Sequence, residues 1–122
     1  MNAILVFVGG GLGALLRHGV NRFALATWGG GFPIGTMIVN VAGSLIMGLL
    51  VGLFAAQPGI HQPSRLFLST GLLGGFTTFS AFSLDALTLY ERGQIGLAIG
   101  YVAASVILSL AAVGAGYFLA RL

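Results

Sequence analysis

Charge is what this 122-residue sequence has least of: five basic and two acidic side chains, 6% of the chain. The basic residues are all arginine (Arg17, Arg22, Arg65, Arg92 and Arg121), and the acids are Asp85 and Glu91. A soluble domain carries about 25% charged residues, and a globule of this size has too much surface for so few charges to keep it in solution. An ordinary soluble domain is therefore excluded. Cysteine is absent, which removes disulfides, thiolate nucleophiles and thiolate metal sites together. A basic patch is missing too. The isoelectric point near 10.2 reflects scattered arginines without aromatic–basic interleaving, so no nucleic-acid partner is expected.

What is present is apolar. Hydrophobic residues make up 57% of the chain, and the mean hydropathy is +1.05. Stretches without an acidic or basic side chain cover residues 1–16, 23–60, 66–84 and 93–120. About 20 apolar residues in a helix cross the hydrocarbon core of a bilayer, so each stretch is long enough to span or nearly so. The N-terminal stretch lacks the positive first region and the small cleavage-site residues of a signal peptide, and is read as a span. The 23–60 stretch breaks at Gly29-Gly30-Gly31-Phe32-Pro33, where glycine permits a turn and proline suits the first turn of the next helix. A polar linker covers residues 57–64, and Glu91-Arg92-Gly93-Gln94 forms a tight last turn. The result is one all-α integral membrane domain over residues 1–122, with four transmembrane helices at about 3–26, 34–56, 65–90 and 95–120. The apolar runs do not alternate with period two, which argues against a β-barrel.

The arginines give almost no orientation. Arg17, Arg22 and Arg92 fall toward one side of the membrane and Arg65 and Arg121 toward the other, a near-even split under the positive-inside rule. Chance in a short chain and insertion in both orientations, pairing as an antiparallel dimer, both account for it. Glycine is abundant, with 21 residues. The pairs Gly9/Gly13, Gly48/Gly52, Gly71/Gly75 and Gly96/Gly100 have the small-xxx-small spacing that lets helices approach closely in lipid. Four thin helices enclose little space alone, so an oligomer is expected.

Polar groups at membrane depth are costly and mark function. Thr36, Asn40 and Ser44 recur at i, i+4, i+8 on one face of the second helix, and Tyr101, Ser105 and Ser109 do so on the fourth. Either ladder alone fits interhelical hydrogen bonding; two together point to a transport lining. The third run holds Gly74-Gly75-Phe76-Thr77-Thr78, poor helix sequence in mid-span. It predicts a third helix broken near the bilayer centre, which is tolerated only where the backbone is buried in protein or lines a cavity. Phe79 and Phe82 follow on one face, and the positive edge of a phenyl ring can approach an anion. No long apolar run contains a carboxylate before Asp85. Hydroxyls and an amide can donate to an anion and replace its lost water. These residues point to a narrow anion pathway in a small oligomer.

The segments GGGLGALLRH at 9–18, GTMIVNVAGSLIMG at 35–48 and GLLGGFTTFSAFS at 71–83 closely resemble the Fluc/CrcB family of fluoride channels. That resemblance implies a dual-topology antiparallel homodimer with two pores in the cell inner (plasma) membrane. It implies passive, chloride-rejecting export of fluoride that has entered as hydrofluoric acid. By motif, Asn40 corresponds to the pore asparagine and Phe79 and Phe82 to the pore phenylalanines. The resemblance places Thr36 and Ser109 in the polar track with Tyr101 and Ser105 beside it on the fourth helix, Ser80 and Ser83 next to the phenylalanines, and Arg17 as the vestibule arginine. The resemblance also implies a structural Na+ at the dimer centre, held here by the main-chain carbonyls of Gly74 and Thr77. Asp85 departs from the family, where a longer acidic residue is expected. Under this resemblance the near-even arginine split favours dual topology.

Three other classes predict different features. A small four-helix multidrug exporter shares size and helix count, but it is expected to hold a glutamate inside the first helix, and residues 3–16 contain no carboxylate. A structural subunit without transport predicts that Asn40, Phe79 and Phe82 do not affect flux. An enzyme is disfavoured, since His18 and His61 lie in different segments without a carboxylate or nucleophile partner.

Overall fold

A computed structural model of the chain describes residues 2–56 and 62–122. Residues 57–61, including His61 and most of the predicted polar linker, lie outside the described residues. Helix α1 is Asn2–Trp28 and α2 is Ile34–Ala56. Helix α3, residues 62–76, begins as Gln62–Arg65, widens to π winding over Leu66–Leu73 and returns to α winding at Gly74–Phe76. Helix α4 is Phe79–Glu91 and α5 is Ile95–Ala120. Among the described residues, four helical stretches are long and apolar enough to cross a membrane, with Gln62–Glu91 taken as a single stretch. The sides of these helices carry large apolar residues, among them Phe7 at 81% exposure and Leu15 at 68%. Lipid accepts such surfaces and water does not.

The turns follow from residue chemistry. Gly29 ends α1 with φ +77°, a backbone that side-chain-bearing residues rarely adopt, and its amide donates to the Leu25 carbonyl at 2.9 Å. Gly93, at φ +79°, closes α4 in the same way. Its amide donates to Tyr90 O and that of Gln94 to Leu89 O, each at 3.0 Å. This is the paired bonding of a Schellman motif. Pro33 stands just before α2 and accepts from the Met37 amide at 3.3 Å, the position where a missing N–H costs nothing.

Two helix pairs carry the packing, α1 against α3 and α2 against α5, and α4 completes the bundle by lying on α5. Both pairs depend on glycine. A Cβ at Gly13 would run into the Leu72 carbonyl, and one at Gly48 into the Val113 carbonyl. Without a hydrophobic force between helices in lipid, such backbone approach supplies the van der Waals contact that holds them. Gly96 and Gly100 have the same spacing but face nothing within 4 Å among the described residues. The buried centre comprises Phe82, Leu89, Ala98 and Tyr101, with Phe32, Met37 and Ala86 packed against it.

Candidate functional site

Between α3 and α4 the backbone is extended at two residues, Thr77 (φ −85°, ψ 159°) and Thr78 (φ −154°, ψ 124°). The Thr77 amide still reaches the Leu73 carbonyl at 3.0 Å, but the ladder stops there, so the polar groups that follow need other partners. Side chains supply them. Asn40 Oδ1 accepts from the Thr78 amide at 2.8 Å, while Asn40 Nδ2 donates to the Thr78 carbonyl at 3.0 Å. The Thr78 hydroxyl accepts from the Ala81 amide at 3.1 Å, capping α4 at its third residue. The Thr77 hydroxyl donates to Leu73 O at 3.0 Å. Arg17 Nε donates to the Gly75 carbonyl at 3.1 Å.

Two cavities flank this region. One, of about 380 Å³, is lined by Asn40, Ser44, Thr77, Thr78, Phe79, Phe82, Ser105 and Ser109 with apolar neighbours, and none of its lining residues is charged. The other, of about 340 Å³, opens beside the 29–33 loop and holds Asn21, Thr36, Asp85, Thr88 and Arg92. Tyr101 is fully buried, and its hydroxyl donates to Asp85 Oδ2 at 3.2 Å. Its ring lies 5.3 Å from that of Phe82 and 5.5 Å edge-on from that of Phe32. Phe79 and Phe82 are themselves 5.5 Å apart. The two phenylalanines differ in setting: Phe82 is 8% exposed and Phe79 77%. Ser105 is buried, and its Oγ has no hydrogen-bond partner among the described residues.

Five of the predicted pore residues thus share one cavity, Asn40, Phe79, Phe82, Ser105 and Ser109, and Thr77, predicted as a sodium ligand, lines it too. Thr36 lines the other, and Tyr101 touches Phe82 and Asp85, which face different cavities. Ser80 and Ser83 line neither of the two. Both are exposed, with the Ser83 hydroxyl donating to Phe79 O at 3.0 Å and Ser80 Oγ standing 3.3 Å from the Thr78 hydroxyl. Arg17 also lines neither cavity and engages the Gly75 carbonyl. The role of Thr78 was not read from the sequence, although a threonine directly before Phe-Ser-Ala-Phe is an N-cap signal. Asn21 was likewise missed. Its side chain occupies the space that a Cβ on Gly35 would need, a contact between helices that no spacing rule reveals.

The pattern family CrcB-like protein, Camphor Resistance (CrcB) matches residues 4–117 of the chain. The chain belongs to the CrcB family. It is 54% identical to Fluoride-specific ion channel FluC 2 of Nitrobacter hamburgensis, over 99% of this chain and 98% of the relative. It is 58% identical to Fluoride-specific ion channel FluC of Methylobacterium nodulans, over 99% and 97%. With the FluC of Rhodopseudomonas palustris strain BisB5 the identity is 55%, over 99% and 98%. These CrcB relatives are named as ion channels, not enzymes, and the four membrane-length helices make this CrcB chain a multi-pass membrane protein.

Proposed function

We propose that this CrcB protein is a fluoride channel that lets fluoride leave the cell passively across the inner (plasma) membrane. It works as an antiparallel, dual-topology homodimer with two pores. The observation that carries this reading is the uncharged cavity in which Asn40, Ser105 and Ser109 stand beside Phe79 and Phe82. A small, strongly hydrated anion entering it must exchange water for donors, and hydroxyl and amide N–H groups are donors. The buried Ser105 Oγ has no hydrogen-bond partner within bonding distance among the described residues, so its hydroxyl can turn toward an ion. The ring edges of Phe79 and Phe82 add weak positive potential without a full charge that would trap the anion. Thr36 and Tyr101 continue the polar track toward the second cavity, and Ser80 and Ser83 flank the phenylalanines from outside it. Arg17 lends positive potential to the vestibule. The names of the relatives support fluoride as the ion.

The dimer is supported by Phe79, which lines the cavity yet is 77% exposed on the single chain. A second, inverted copy would close that open wall, and the near-even arginine split permits both orientations. The extended residues at Thr77 and Thr78 are read as a third transmembrane helix broken at mid-membrane. A structural Na+ at the dimer centre fits the carbonyls of Gly74 and Thr77, since hard cations take oxygen ligands. The Gly74 carbonyl is short of its helical partner, because the Thr78 amide four residues on donates to Asn40. When bound, the ion supplies fixed positive charge between the copies. Flux from purified protein in liposomes tests the channel reading. Passive fluoride release at neutral pH with little chloride release is expected; absence of fluoride release overturns it.

A further inference from the structure

Asn40 forms a cyclic pair with the backbone of a single residue, Thr78, in the break between α3 and α4. Its Oδ1 takes the Thr78 N–H at 2.8 Å, and its Nδ2 gives to the Thr78 C=O at 3.0 Å. This is the bonding that one strand residue offers another, supplied by a side chain. In a continuous helix the Thr78 amide would reach Gly74 O and the Phe79 amide Gly75 O. The structure replaces the first with Asn40 from α2 and the second with Arg17 from α1, whose Nε lies 3.1 Å from Gly75 O. Thr78 in turn caps α4 through its hydroxyl, so its placement sets where α4 begins.

We propose that Asn40 is a positioning residue: by clamping the backbone N–H and C=O of Thr78 it fixes the start of α4, and so holds the Phe82 ring against Tyr101, with Arg17 bracing the α3 side. The proposal builds on the channel reading, because it assigns the asparagine of the ion cavity a second task that exists before any ion arrives. Three features make this more than packing. Both atoms of the amide are engaged, so the orientation of the side chain is determined. The clamped unit lies within four residues of both phenylalanines. The ring contacts that follow are tight: Phe82 is 5.3 Å from Tyr101 and 8% exposed. One Nδ2 hydrogen remains after the Thr78 bond, so the amide can clamp the backbone and still face the cavity.

The test uses full-length protein carrying 4-fluorophenylalanine at position 82, observed by fluorine NMR in fluoride-free buffer, where ion contact plays no part. Asn40→Ala removes both bonds, and the position-82 resonance is expected to shift and broaden or split. Asn40→Asp keeps an acceptor for the Thr78 amide and loses the donor to its carbonyl, so a smaller displacement is expected. That variant also serves if the alanine protein does not assemble. Ser109→Ala, which lines the same cavity without touching Thr78, is expected to leave the resonance in place. A position-82 resonance unmoved in the Asn40 variants overturns the proposal, even if flux is lost, and leaves Asn40 as an ion contact alone. Wild-type protein that conducts no fluoride would defeat the channel reading instead, while the resonance still reports on the clamp.

Discussion

Ser105 and Asn40 illustrate how a polar residue in lipid acquires a role. Each costs free energy to bury, and the two meet that cost differently. The Asn40 side chain is satisfied by the Thr78 backbone, whereas the Ser105 hydroxyl is buried without a hydrogen-bond partner among the described residues. An unmade hydrogen bond on a buried group costs about 1–3 kcal/mol. Ser105→Ala is therefore expected to raise thermal stability in detergent while lowering fluoride flux, opposite signs that a purely structural serine would not give. Asn40→Asp is expected to abolish flux, because it places a negative charge in the proposed anion cavity; conduction retained by that variant would remove Asn40 from the ion route. Asp85 belongs at this scale as well. Its carboxylate accepts from the Tyr101 hydroxyl, which accounts for an acid at the end of an otherwise neutral track.

At the level of elements, glycine decides which helices touch. Spacing marked several glycine pairs as equivalent, yet the structure separates them. Gly13 and Gly48 face the carbonyls of a neighbouring helix, while Gly96 faces nothing within 4 Å among the described residues. Gly13→Ala or Gly48→Ala should force two backbones apart and lower the melting temperature sharply. Gly96→Ala should leave the fold of the protomer intact, with a gain in helix propensity of up to about 1 kcal/mol. Thermal melts of the three variants decide this. The start of α4 offers a finer probe. Thr78→Val loses the acceptor for the Ala81 amide, and loss of a helix cap costs about 1 kcal/mol. Thr78→Ser keeps the acceptor and should behave as the parent does.

For the whole molecule the questions are orientation and assembly. With so few charges, two or three lysines added to the 92–94 turn should fix the chain in one orientation. If the working form is an inverted pair, such a variant should lose fluoride flux when expressed alone. It should recover when co-expressed with a variant biased the other way, and full flux from the lysine variant alone would count against the antiparallel dimer. Sodium gives a second measurement on the assembly. Replacing it with N-methylglucamine, too large for a carbonyl site, should lower dimer stability and flux together; indifference to the exchange would remove Na+ from the protein.

The spans were legible because the membrane imposes a one-dimensional rule: a helix must be apolar for about 20 residues, and charge-free runs show this directly. The ladders were legible for a similar reason, since i, i+4 spacing fixes a common face within one helix. Asn40, Ser105 and Ser109 were thus recognisable as inward candidates, and the poor helix sequence at Gly74–Thr78 marked where the ladder of backbone bonds would be hard to maintain. Ser80 and Ser83 show the limit: adjacency to Phe79 and Phe82 says nothing about which side of α4 a hydroxyl takes, and both are exposed. What the sequence by itself determined is an all-helical membrane protein with neutral donors and no thiol chemistry, because length, hydropathy and residue type act locally. Only the tertiary structure decided that Asn40 bonds the Thr78 backbone, that Arg17 reaches Gly75, and that Gly48 packs while Gly96 stands clear of the other described residues. Those outcomes depend on which helix lies beside which, a choice made by contacts between residues far apart along the chain.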